Sequence, residues 1–186
     1  MTSPTPRWTR CTPWACVACD STSYRRPAGE RATPTQRFGA LAPRLRRRGW
    51  HVQWYASAAE LPSVAELHRQ SGLTCVLDHL AGFGTGVAIN DPAWQAAKTL
   101  AAQGAWLKLS GWYRLNAQPP YTEPVPQIHR LAGLFGARMV WGSDWPHTMF
   151  APDAMPSYPS TWQPVVEAIG HEAAETLRRR QPEIYT

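Results

Sequence analysis

From residue 50 onward, short apolar runs alternate with amphipathic stretches at a spacing near thirty residues, and this rhythm limits the chain to one broad class of fold. "WHVQWYA" (50–56) reads as a strand, followed by a helix over about 60–71 whose inward face is Leu61, Val64, Ala65 and Leu67. "LTCVLDH" (73–79) is the next strand. Asp91 and Pro92 then have the form of an N-cap and first-turn proline, opening a helix that runs through Ala101 and ends near Gly104. "AWLKLSG" (105–111) and "ARMVWGSD" (137–144) are two further strands, separated by a helix over about 124–135, and a last helix is expected over about 161–180. Continuous apolar strands joined by helices imply parallel strands buried on both faces, an α/β architecture. A complete (β/α)8 barrel needs eight such units in roughly 250 residues, with its active site at the C-terminal strand ends. Four units are legible in these 186 residues.

Those strand ends carry polar groups where packing alone would continue with apolar ones. Gln53 and Tyr55 close the first run, Asp78 and His79 the second, Lys108 and Ser110 the third, Asp144 the fourth. An acid following Met-Val-Trp-Gly-Ser must be ion-paired, hydrogen-bonded or functional, because an unpaired buried carboxylate is costly. His147 lies three residues further on and can reach the same rim. Two readings stay open for His79, a hydrogen-bonded core histidine or a site residue, and two for Lys108, which can pair with a carboxylate across the barrel or act in catalysis.

The composition, 44% hydrophobic and 17% charged, suits an ordinary globular core. The sequence holds neither an apolar run long enough to span a bilayer nor an apolar N-terminal signal core, so a cytoplasmic protein is expected. The net charge of +6 belongs to the head, where residues 1–48 hold ten Arg against Asp20 and Glu30. "RLRRRGW" (44–50) and "LRRR" (177–180) are read as the basic ends of helices, favourably placed against the helix dipole, and no nucleic-acid partner is expected. "GFGTG" (82–86) lacks the spacing of a phosphate loop and is read as a strand-to-helix connection. Cys16 and Cys19 have metal or redox spacing with no second pair to complete a site, Cys11 stands apart, and Cys75 is expected to be a buried thiol.

"WHVQWY", "CVLDHLAG", "AWLKLSGWYRL" and "MVWGSDWPH", in that order and spacing, resemble strands five to eight of the amidohydrolase-2 family, in its lactonase-like branch. The likeness runs over about residues 30–186 and includes the closing "RRRQPEIY". It implies the C-terminal half of a TIM barrel over residues 29–186 and a hydrolase that attacks a lactone or related ester or amide carbonyl of a small organic acid with water. A decarboxylase-type member is the alternative within the family. By resemblance, Asp144 is the eighth-strand carboxylate that activates water or shuttles its proton. His79 polarises the carbonyl or orients the water, and Arg114 clamps a substrate carboxylate. Tyr55, His147, Gln53, Lys108 and Ser110 complete the substrate rim. The family implies either no cofactor or a divalent, zinc-type metal, which His79 and Asp144 would hold. The lactonase branch places an Arg shortly after its Asp-His pair; here the stretch is Leu80-Ala81-Gly82-Phe83, which argues against a dicarboxylate substrate.

The family's first-strand H-x-H motif is found nowhere in the sequence, and "RWTRCTPWACVACDSTSY" (7–24) has neither helical nor strand periodicity. Back-translated and read one nucleotide earlier, that stretch accommodates "LDALHALGVRGVRFNF", which resembles the family's third helix and fourth strand. We therefore read residues 1–28 as a disordered or frameshifted head, to be checked in the DNA near codons 24–29. A half barrel with an open sheet edge is expected to self-associate or aggregate and to turn over weakly or not at all. The non-catalytic alternative is a fragment or pseudogene product.

Overall fold

The computed structural model describes residues 17–20, 34–148, 150–180 and 184, with the backbone alone for 17–20, 34–36 and 152. Cys11, Cys16, the Cys19 side chain and most of the head read as frameshifted lie outside the described residues.

Five strands, β1 (Val17–Asp20), β2 (Val52–Tyr55), β3 (Cys75–Leu77), β4 (Trp106–Leu109) and β5 (Met139–Trp141), pair in sequential order and all in parallel. The helices between them are α1 (Pro34–Arg47), α2 (Leu61–Ser71), α3 (Pro92–Ala102) and α4 (Val125–Phe135), and α5 (Tyr158–Ile169) and α6 (His171–Arg179) follow β5. A parallel sheet in sequential strand order, with helical crossovers, is the wall of a (β/α) barrel. Four of the strands are those read from the sequence. The first lies inside the head, where no strand periodicity was read: Val17–Asp20 pairs with Val52–Tyr55 and occupies the otherwise open edge of β2.

The strands alternate between two environments, as a period of two requires. Cys75, Leu77, Leu107, Leu109 and Met139 pack into the main core with the helices, whereas Val76, Trp106 and Val140 form a second cluster on the other face. Each helix presents an apolar stripe to the main core: Phe38, Ala42 and Leu45 on α1, Ile128, Leu131 and Phe135 on α4. On α2 the buried positions are Leu61, Val64, Ala65, His68 and Ser71, while Leu67, expected inward, is half-buried at the edge of the stripe. Asp91 caps α3 as expected, accepting from the Ala93 N–H at 2.8 Å.

The last helix differs from its expected single span over 161–180. It begins at Tyr158, capped by Ser157, and breaks at Gly170, whose φ of 83° and ψ of 156° no helix accommodates. The break lets α6 bury Ala174 and Leu177 against the core. No helix among the described residues is long and apolar enough to cross a membrane.

Candidate active site

The polar residues at the C-terminal ends of β2 to β5 converge on one cluster. Asp78, directly after β3, receives the Gln53 side-chain amide from β2 and lies 3.2 Å from Lys108 Nζ on β4. Lys108 therefore pairs with a carboxylate, on the neighbouring strand end and not across the barrel. His79 follows Asp78 and is 6% exposed; its Nδ1 lies 3.1 Å from Ser110 Oγ, and its ring stands edge-on to Tyr55 at 5.0 Å.

Two glycines make this crowding feasible. Gly111 has a φ of 64°, and a Cβ there would run into the His79 imidazole, so the ring and the β4 turn are in direct contact. Gly82, at a φ of 74°, brings the loop after β3 against the Ala56–Ala58 backbone, where a Cβ would sit 2.6 Å from Ala56 O. Two glycines of "GFGTG" thus have a packing reason, Gly82 against the Ala56–Ala58 backbone and Gly84 against Leu115 O at 2.9 Å.

After β4 the chain makes a single 3₁₀ turn, Trp112–Leu115, entered through Gly111 and left through Asn116, both with left-handed φ. Trp112 anchors it, buried to 1% exposure with its indole N–H donating to Thr161 O on α5 at 2.8 Å. Tyr113 and Arg114 are thereby aimed at β5. Asp144, three residues after β5, has one oxygen, Oδ2, that accepts from the Tyr113 hydroxyl and from Arg114 Nε, each at 2.6 Å. Its other oxygen, Oδ1, faces His79 Nε2 at 3.9 Å. His147, buried to 5% exposure, completes the group with Nδ1 3.4 Å from the Tyr113 oxygen.

His79, Asp144 and His147 all hold positive φ, at 46°, 65° and 53°. A left-handed conformation costs an L-residue roughly 1–2 kcal/mol, and such residues cluster at sites where the geometry has a use.

Burial pushes the His79 pKa below its ordinary value, outweighing the pull of the Asp144 and Asp78 carboxylates. The ring is therefore neutral at pH 7. Burial works the other way on Asp144, raising it, but the hydrogen bonds from Tyr113 and Arg114 prevail and hold its carboxyl below the usual range. Burial and the Asp144 hydrogen bond both raise Tyr113, which keeps its phenolic proton. With Oδ1 acceptor-only, the proton of neutral His79 belongs on Nε2, and Nδ1 then accepts from the Ser110 hydroxyl.

This donor set does not suit a resident divalent ion. Among the described residues no group of three His, Cys, Asp or Glu side chains is arranged to hold a metal ion. The expected pair, His79 and Asp144, offers two ligands, and the second oxygen of Asp144 is already bonded to a cation, Arg114. Arg114, expected as a clamp for substrate, spends its Nε on Asp144 and holds its guanidinium 5.8 Å from the Tyr55 ring centre. Beside Tyr55 and Arg114 an open cavity of about 530 Å³ is bounded on its other side by the Gly82–Val87 loop.

The sequence points to Gln53, Tyr55, His79, Lys108, Ser110, Arg114, Asp144 and His147, and the fold brings all eight to this one rim. Sequence reasoning misses Tyr113, which an apolar-run pattern treats as one more aromatic. Its position between Trp112 and Arg114 in a strand-end turn was the available signal.

The amidohydrolase family pattern matches residues 24–179. Two curated relatives are a 4-sulfomuconolactone hydrolase from Rhizobium radiobacter and a 2-pyrone-4,6-dicarboxylate hydrolase from Comamonas testosteroni. The first is 28% identical over 131 residues, covering 69% of this chain and 44% of the relative. The second is 30% identical over 126 residues, 62% of this chain and 41% of the relative. A Pseudomonas putida crystal structure assigned as a 2-pyrone-4,6-dicarboxylic acid hydrolase superposes with a TM-score of 0.64 at 25% identity, over 79% of this chain and 54% of that one. A Burkholderia multivorans amidohydrolase structure that contains bound zinc shares the fold, with a TM-score of 0.56 at 23% identity over 76% and 53% of the two chains. The chain spans less than half the length of the curated relatives it matches. With the family pattern covering most of its length and its strand-end residues gathered where barrel enzymes keep their chemistry, this chain belongs to the amidohydrolase family.

Proposed function

We propose that this chain carries one wall of a lactone-hydrolysing site, in which Asp144 activates water and His79 orients it. The observation that carries the reading is the 3.9 Å separation of Asp144 Oδ1 and His79 Nε2. That distance is too long for a direct hydrogen bond, and it is the span that one water, about 2.8 Å from each atom, would bridge. The water would donate a hydrogen to Oδ1 and accept from the Nε2 proton. As the water oxygen bonds to the lactone carbonyl carbon, its proton passes to Asp144. Collapse of the tetrahedral adduct breaks the bond to the ring oxygen, which takes that proton, so a lactone and a water become a hydroxy or enol acid.

The substrate class follows from the charges in reach. Lys108 is paired with Asp78 and Arg114 with Asp144, and the loop after His79 contributes no cation. A lactone bearing a single anionic group, held beside Tyr55 and Arg114, suits this wall better than a dicarboxylate. The names of the two curated relatives, both hydrolases with lactone-type substrates, support the reaction type. The described residues offer His79 and Asp144 as a ligand pair for a divalent metal, and no step of the reading is routed through one.

The test follows loss of the lactone chromophore with sulfomuconolactone and with 2-pyrone-4,6-dicarboxylate. Weak turnover is expected, rising when the first half of a related barrel is co-expressed, and falling to background in Asp144→Asn. Turnover that survives both Asp144→Asn and His79→Gln overturns the reading. The non-catalytic reading predicts no turnover even with the complementing half.

A further inference from the structure

The hydroxyl of Tyr113 has no part in the water step, yet it touches two members of the cluster. It lies 2.6 Å from Asp144 Oδ2 and 3.4 Å from His147 Nδ1. A phenol has one hydrogen to donate and lone pairs to accept with, which fixes the direction of both contacts. The ionised Asp144 carboxylate can only accept, so the phenolic hydrogen goes to Oδ2. The phenolic oxygen is then left to accept from His147, which in the neutral ring places the proton on Nδ1 and the lone pair on Nε2.

We propose that Tyr113 is a positioning residue: by donating to Asp144 and accepting from His147, its hydroxyl fixes the orientation of the carboxylate, with one oxygen left to face His79, and sets which nitrogen of the neutral His147 ring bears the proton. The proposal rests on the water-activation reading above and names what prepares that site. Three observations favour it over simple packing. The ring already has its packing partner in Phe150, edge-on at 4.8 Å, a contact phenylalanine would make equally well. The turn bearing Tyr113 is held by left-handed residues at both ends and by the buried Trp112, so the hydroxyl is delivered to a fixed point. Arg114, the next residue in that turn, donates to the same oxygen, and two donors on Oδ2 leave Oδ1 as the oxygen turned toward His79. A buried imidazole is thereby set on each side of the carboxylate, His79 through Ser110 and His147 through Tyr113.

The experiment is ¹⁵N-histidine NMR of the whole chain, with signals assigned by His79→Gln and His147→Gln, in the native protein and in Tyr113→Phe. A thermal melt confirms that the variant folds. His147 is expected to carry its proton on Nδ1 in the native chain and to lose that preference in Tyr113→Phe, while His79 keeps its tautomer. Native His147 protonated on Nε2, or a Nδ1 preference unchanged in Tyr113→Phe, overturns the proposal without any appeal to turnover. On the lactone substrate, Tyr113→Phe should lower kcat roughly tenfold with KM little changed, because the lost hydrogen bond organises the charged group and not the ligand. A kcat equal to the native value also overturns it. If the NMR behaves as expected while Asp144→Asn leaves hydrolysis intact, the water-activation reading is what fails.

Discussion

Arg114 Nε and Asp144 Oδ2 are 2.6 Å apart, with only 16% and 13% of the two side chains exposed. Removing one member of such a pair leaves the other charge poorly compensated, at a cost of about 3–5 kcal/mol when burial is complete. Tyr113 still donates to Asp144 and the pair is not fully buried, so Arg114→Ala should lower unfolding stability by about 2 kcal/mol. Arg114→Lys should recover little of it, since an ammonium cannot reproduce a guanidinium Nε donor bound from that direction. Urea denaturation at pH 7 measures both, and a loss below about 0.5 kcal/mol for Arg114→Ala contradicts the pairing.

The contact between Gly111 and the His79 ring leaves no space for a side chain. In Gly111→Ala the methyl group meets the imidazole and the residue must also hold a φ of 64°. Together these should cost about 2–3 kcal/mol, from the left-handed backbone and the forced shift. The displaced ring also loses Ser110, so hydrolysis should fall with stability. A variant with native urea midpoint and native ¹⁵N signals for His79 would show that the ring is elsewhere.

Much of this site was legible in the sequence because each strand is a short apolar run and its first polar residues mark where it ends. Asp78, His79, Ser110 and Asp144 announce themselves by breaking apolar patterns, and Asp91-Pro92 announces α3 through its own local chemistry. Tyr113 carries no such mark, because an aromatic ring satisfies the core pattern and its hydroxyl acquires a role only through contacts some thirty residues away. The break at Gly170 was hidden for a related reason: apolar residues recur at helical spacing on both sides of it, and only the glycine conformation separates α5 from α6. The strand Val17–Asp20 lies in a stretch of poor periodicity, and its pairing comes from the open backbone edge of β2, which no side-chain pattern advertises.

Cys75 on β3 is 1% exposed, and burial pushes its thiol up to about 12. Only the thiolate is nucleophilic, so the native chain should resist alkylation at this residue at pH 8. Treatment with iodoacetamide followed by peptide mapping should leave the Cys75 peptide unmodified in buffer and modify it in urea, at a midpoint matching the unfolding transition. Labelling of Cys75 in native buffer within minutes would show that β3 is open to solvent.

His51, at the entry to β2, is 8% exposed, and burial lowers its pKa below the ordinary value of 6.5. The sign of the resulting pH dependence follows from proton counting. Above about pH 6.5 the imidazole is neutral in both folded and unfolded chains, so its contribution to stability is fully present. Below that pH the unfolded chain binds a proton that the folded chain does not. Stability then falls by up to about 1.4 kcal/mol per pH unit until the lowered folded pKa is reached. Burial lowers His79 in the same sense, so the comparison must isolate His51 by substitution. His51→Gln retains a polar side chain that does not titrate. The native chain should lose more stability than this variant between pH 7.5 and pH 5.5, as read from urea unfolding at the two values. Equal losses in the two proteins would mean that His51 titrates as freely in the folded chain as in the unfolded one.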